Sequence, residues 1–130
     1  MRTRTLRVME DLYEVCRLEA GAEIPEWATG AFCSVTRTEA ELSIVCPQGR
    51  SSPATRREGG FALLRVEGPL RFDEVGVVSS LAEPLASAGI SIFVLSTFDT
   101  DYLLVKRENL AAAIDSLRSA GHTLIGTGAS

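Results

Sequence analysis

Histidine is almost missing from this chain: His122 is the only one in 130 residues. That removes any Ser/His/Asp arrangement, because His122 opens what reads as a terminal strand. Cysteine is scarce as well. Cys16, Cys33 and Cys46 lack the paired spacing of a zinc site, so no structural metal and no cofactor is expected. No apolar run reaches the roughly 18 residues a membrane helix needs. The basic start, Met1-Arg-Thr-Arg-Thr5, leads into a strand-like pattern rather than a long apolar signal core. Basic runs are absent and the net charge is −4, which argues against a nucleic-acid backbone as main partner. Gly59-Gly60 precedes an apolar run instead of following one, so it is not a phosphate loop. A soluble protein with a cytoplasmic address is expected. Its length suits one domain, or two very small ones sharing a core.

The pattern is clearest in the second half. Residues 61–66 (FALLRV) form a continuous apolar run, as in a strand buried on both faces. Gly68 and Pro69 break it. Asp73 is placed to cap a helix that carries Val75, Val78, Leu81 and Leu85 at helical spacing and ends at Gly89, with Pro84 kinking it or marking its last turns. A strand over 90–97, a turn at 98–100 and a return strand over 102–106 follow. An amphipathic helix spans 109–120, a short strand 122–125, and a frayed tail 126–130. The order β-α-β-β-α-β is the ferredoxin-like arrangement, an α+β fold with one antiparallel sheet and both helices on one face.

The first half is less regular. Strands are expected over 5–9 and 13–18 around a turn at Glu10-Asp11, then a short helical turn at 25–30 anchored by Trp27. A hairpin of 32–38 with 41–47 comes next, and 48–60 reads as a polar linker. Cys33 would lie opposite Cys46 in that hairpin, as reduced, buried thiols or as a pair able to bond. Residues 36–45 (TRTEAELSIV) recur loosely as 96–105 (STFDTDYLLV), an offset of sixty. A repeat at this period points to two copies of one α/β unit, modules 1–58 and 59–130, the first truncated in its helical part.

Two segments attract attention as a site. At the strand-to-helix corner, residues 68–78 (GPLRFDEVGVV), a helix start offers unpaired N–H groups to an anion. Gly76 is either kept for close backbone approach or packs tightly. In the second segment, residues 96–101 (STFDTD), Ser96 and Thr97 bring hydroxyls, and Asp99 and Asp101 bring carboxylates able to hold an ammonium group. A purely structural account exists for both: a capped corner and a polar hairpin turn.

Six segments together resemble ACT domains: PEWA at 25–28, FCSVTRT at 32–38, ELSIVC at 41–46, VEGPL at 66–70, GISIF at 89–93 and STFDTDYLLV at 96–105. They are similar to small bacterial proteins built from such domains in tandem and to the ACT modules of cytosolic arginine sensors of animal cells. The resemblance covers residues 6–122 and is strongest over 61–122. It implies a regulatory, non-catalytic protein that binds an amino acid or similar metabolite and pairs as a homodimer. It implicates Phe72, Asp73, Gly76, Val77 and Val78 on the loop and helix start, and Ile92, Ser96, Thr97, Phe98, Asp99 and Thr100 on the facing strand and turn. The first module lacks a clear helix after its first strand, so an equivalent pocket there is in doubt. Two rivals stand beside this reading: a ligand-free interaction module that regulates a partner enzyme, and a small enzyme using His122 as acid or base.

Overall fold

Alternating apolar residues make the first stretch a single strand, β1 (Thr5–Leu18), unbroken for 14 residues. The computed structural model describes residues 2–126. The turn expected at Glu10-Asp11 does not form; both residues are exposed positions inside β1. A charge on the solvent side of a strand leaves its backbone free to pair, so it need not end the strand. Compact packing does divide the chain at this point. One unit holds residues 11–61; the other holds the described part of 1–10 and 62–130.

In the unit of residues 11–61, β2 (Ser34–Arg37) and β3 (Leu42–Pro47) form the expected hairpin, with Ser34 opposite Val45 and Arg37 opposite Leu42. β3 pairs antiparallel with β1, from Tyr13 opposite Pro47 to Leu18 opposite Leu42. With β4 (Arg56–Val66) the order here is β2-β3-β1-β4. The polar linker is therefore shorter than expected, because residues 56–60 already belong to β4. Cys16, Leu42, Ile44 and Cys46 make the core, and Trp27 packs against it. Residues 25–30 form a turn rather than a helix, closed by the Ala28 N–H on the Pro25 carbonyl at 3.1 Å. The three thiols are free, and partly exposed Cys33 packs against the cluster that holds Cys46.

The other unit follows the predicted order: β4, α1 (Val77–Ser87), β5 (Phe93–Ser96), β6 (Asp101–Lys106), a 3₁₀ turn (Arg107–Asn109), α2 (Leu110–Ser119) and β7 (Thr123–Gly126). Gly126 thus ends a strand, and the rest of the expected tail, 127–130, lies outside the described residues. The sheet order is β7-β1-β4-β6-β5, so the start of β1 lies between β7 and β4. It runs parallel to β7, from Thr5 opposite Thr123 to Val8 opposite Gly126. The sheet is therefore not wholly antiparallel, as had been expected. The reason is in the core: Leu6 and Val8 join Ala62, Leu64 and Val66 of β4 beneath Val77, Leu81 and Leu85 of α1 and Ile114 and Leu117 of α2. Burial of Ala62, Leu63, Leu64 and Val66 matches a strand covered on both faces. The strand expected over 90–97 is shorter, because only 93–96 find partners, on 101–104.

The two hairpin turns share one hydrogen-bond pattern. The Thr38 N–H donates to the Glu41 carbonyl at 2.9 Å and the Thr97 N–H to the Thr100 carbonyl at 2.8 Å. In each, the threonine hydroxyl also accepts the N–H three residues on. The matching offset is thus 59 at the turns, not sixty, because the threonine hydroxyl rather than the acidic positions sets the turn. Among the described residues, no helix is long and apolar enough to cross a membrane.

Candidate functional site

Helix α1 starts later than the sequence suggests, and this shapes the site. Asp73 does not cap it. Its carboxylate is exposed, 3.5 Å from Arg71 Nε. The cap is Gly76, at φ 81°, with no side-chain hydrogen bond to the helix. A Cβ at Gly76 would meet only Ser79 Oγ, at 3.7 Å, so tight packing against a neighbouring segment does not explain the glycine. The left-handed backbone does. The N–H groups of Val77, Val78 and Ser79 have no partner among the described residues; the first helical bond runs from the Ser80 N–H to the Gly76 carbonyl at 3.0 Å.

The loop before the helix is held at three points. The Leu70 N–H donates to the Asp99 carbonyl at 2.7 Å, and the Glu74 N–H to the Arg71 carbonyl at 3.1 Å. The Glu74 carboxylate accepts the Arg71 N–H at 3.2 Å and pairs with Arg4. The Arg4 hydrogen bond, then the Arg71 N–H, hold Glu74 below the usual carboxylate range. Across from this loop, Thr100 is buried and its hydroxyl donates to the Val66 carbonyl at 2.6 Å, fixing the β5–β6 turn to the end of β4. The Ser96 hydroxyl donates to Asp101 at 2.6 Å.

Loop and turn enclose a cavity of about 460 Å³. Nine of the predicted residues line it: Phe72, Gly76, Val77, Val78, Ser96, Thr97, Phe98, Asp99 and Thr100. Asp73 does not, and Ile92 instead packs on the core beneath the helices. Leu70, Arg71, Glu74 and Asp101, which lie within the two segments singled out in the sequence, also line the cavity, as does Ser79, which lies just outside them. Asp101 is the second of the two carboxylates expected in that turn. The role of Glu74 has no local signal, since its partner Arg4 is seventy positions away. Of the three carboxylates, Glu74 is taken by Arg4 and Asp101 by Ser96, while Asp99 has no partner among the described residues. Phe72 and Phe98, 82% and 81% exposed, meet with ring centroids 5.3 Å apart.

His122 does not serve this cavity. It is 4% exposed. Its Nδ1 accepts the Arg4 N–H at 3.0 Å, which leaves the proton on Nε2 to donate to the Ser80 carbonyl at 2.9 Å. Ser80 is four residues before Pro84, which has no N–H, so the imidazole supplies the bond the helix lacks. Both ring nitrogens are thus engaged by backbone groups, which leaves the enzyme reading without its acid or base.

A family model described as ACT domain matches residues 56–119, and a second model, of an N-terminal domain, matches residues 11–52. The human cytosolic arginine sensor for mTORC1 subunit 1 is 33% identical over 108 residues, 77% of this chain and 33% of that protein. The chain thus spans about a third of the length of the curated relatives it matches. A crystal structure of a protein from Agobacterium tumefaciens is 42% identical, with a TM-score of 0.92 over 97% of this chain and 95% of that one. The ligand-free regulatory subunit of aspartate kinase from Thermus thermophilus shares the fold, with a TM-score of 0.65 at 9% identity over 92% of this chain and 99% of that one.

Proposed function

The chain belongs to the ACT domain family through residues 56–119, and on that premise we propose that it is a non-catalytic regulatory protein whose cavity binds an amino acid. The observation that carries this reading is that residues with free groups of both kinds line one cavity. Unpartnered N–H groups at the start of α1 suit a ligand carboxylate, and the unpaired carboxylate of Asp99 suits its ammonium group. The Thr97 hydroxyl is occupied within the turn and that of Thr100 on the Val66 carbonyl, so they shape the wall rather than bind. A relative described as an arginine sensor makes arginine the first amino acid to try. The shared turns at Thr38 and Thr97 support two tandem modules, 1–58 and 59–130, the first without helices. β5 is an edge strand with Phe93 and Val94 over a third exposed, which favours a homodimer built there. A cytoplasmic location and a regulated partner enzyme complete the reading.

The test is a thermal-shift screen against the twenty amino acids. A ligand at a hundred times its Kd adds about 2.7 kcal/mol of stability. Asp99→Ala should abolish the shift while leaving the unliganded Tm unchanged, because that side chain holds nothing else. No shift from any amino acid would reject ligand binding. It would favour the interaction module, for which the exposure of Phe72, Val75 and Phe98, each above 80%, already speaks.

A further inference from the structure

The amino-acid reading makes no use of the middle of β1. There Glu14, Cys16 and Cys46, all buried, bring a carboxylate oxygen and two sulfurs within 4.8 Å of one another. The strand register does this: Glu14 lies opposite Cys46, and Cys16, two residues along, shares its face. Cys16 Sγ stands 3.6 Å from Glu14 Oε2. A sulfur and an oxygen bound tetrahedrally to one zinc ion, at ~2.3 and ~2.0 Å, are themselves about 3.5 Å apart.

The surroundings fit a held ligand set. The N–H groups of Gly49 and Ser51 each donate to the Glu14 carboxylate at 3.2 Å and so orient it, as partners of metal-bound carboxylates do. Ser51 Oγ is buried beside the Glu14 carboxylate and the Cys16 sulfur. We propose that Glu14, Cys16 and Cys46 bind one borderline-soft divalent cation of the zinc type, with Ser51 Oγ or water as fourth ligand. Burial pushes Cys16 up and Cys46 up to about 12, so both are thiols without metal. On binding, each S–H bond breaks, its proton goes to solvent and a sulfur–metal bond forms, with no electron transfer. Sequence spacing hides such a site, because its ligands come from two strands and meet only through their register.

The test titrates the reduced, chelator-treated protein with Co²⁺ under anaerobic conditions. One equivalent should produce a thiolate-to-cobalt charge-transfer band that Zn²⁺ then displaces. Cys16→Ser should remove the band, Glu14→Gln should weaken binding at least about tenfold, and Cys33→Ser should change nothing. Cys46→Ser puts a hydroxyl in the core and can unfold the unit, so Cys46→Ala is the companion variant, with metal-free Tm as its folding control. No band in the wild type, or a band that survives in folded Cys46→Ala, overturns the site.

Discussion

Replacing His122 by alanine should be the most damaging single change outside the apolar core, and Pro84→Ala should partly repair it. His122 is 4% exposed and bonds two backbone groups, the Arg4 N–H at 3.0 Å and the Ser80 carbonyl at 2.9 Å. Removal orphans both. Each orphaned buried group costs about 1–3 kcal/mol, so the expected loss is about 2–6 kcal/mol. For a chain of this size that is a fall in Tm of roughly 10–20 °C. The Ser80 carbonyl depends on the imidazole only because residue 84 lacks the N–H that would close the helical bond.

Pro84→Ala restores that N–H. In the Pro84→Ala background, His122→Ala should therefore cost less, by ~1–2 kcal/mol, since only the Arg4 N–H is then left without a partner. Urea unfolding of wild type, both single variants and the double variant measures this coupling from four midpoints. Pro84→Ala alone should be neutral or stabilising. Additivity within about 0.3 kcal/mol would refute the argument, because it would mean that the Ser80 carbonyl never needed the histidine.

Glycine substitutions separate backbone strain from crowding. Gly76→Ala should cost ~1–2 kcal/mol, since the site is open and only φ 81° opposes it. Gly126→Ala should cost more in the same urea assay, because its Cβ would lie 2.6 Å from the Val8 carbonyl at φ 97° and push β7 from β1; equal costs would show that crowding there is relieved. For pH, burial works to raise Glu67, but Arg7 at 2.8 Å and Arg65 at 3.1 Å outweigh it and hold its carboxyl below 4.5. A lowered folded value means this stabilisation is complete above about 4.5 and is lost as pH falls through the folded value. Glu67→Gln should thus be less stable than wild type at pH 7, with the gap closing in acid; a gap independent of pH would refute the ion-pair account.

Elements whose signal is local were readable. The apolar run at 61–66, the helical spacing of Leu81 with Leu85, and Gly89 and Gly121 at positive φ just past the helix ends are all written in consecutive residues. Elements that depend on a partner strand were not. Ile90-Ser-Ile92 has strand propensity but nothing to pair with, while Arg56 to Gly60 has little propensity and pairs anyway. Glu10-Asp11 reads as a turn because two adjacent charges suit one, but exposed positions of a strand accept charge as well.

The same division runs through the cavity. The two segments that line it stand out by their glycine, hydroxyl and carboxylate residues flanking a strand end, while Phe72, Val77 and Val78 follow from the family resemblance. Asp73 failed for a subtler reason. It has the chemistry of a helix cap, but a glycine at positive φ three residues later starts the helix without any side chain. What sets the loop's position is Glu74, whose partner Arg4 comes from the residues before β1, and the main chain of Arg4 in turn bonds His122 just before β7. One arginine therefore ties the cavity loop through its side chain and the helix-closing histidine through its backbone. A local reading cannot find such a residue, because nothing near Arg4 in sequence calls for either bond.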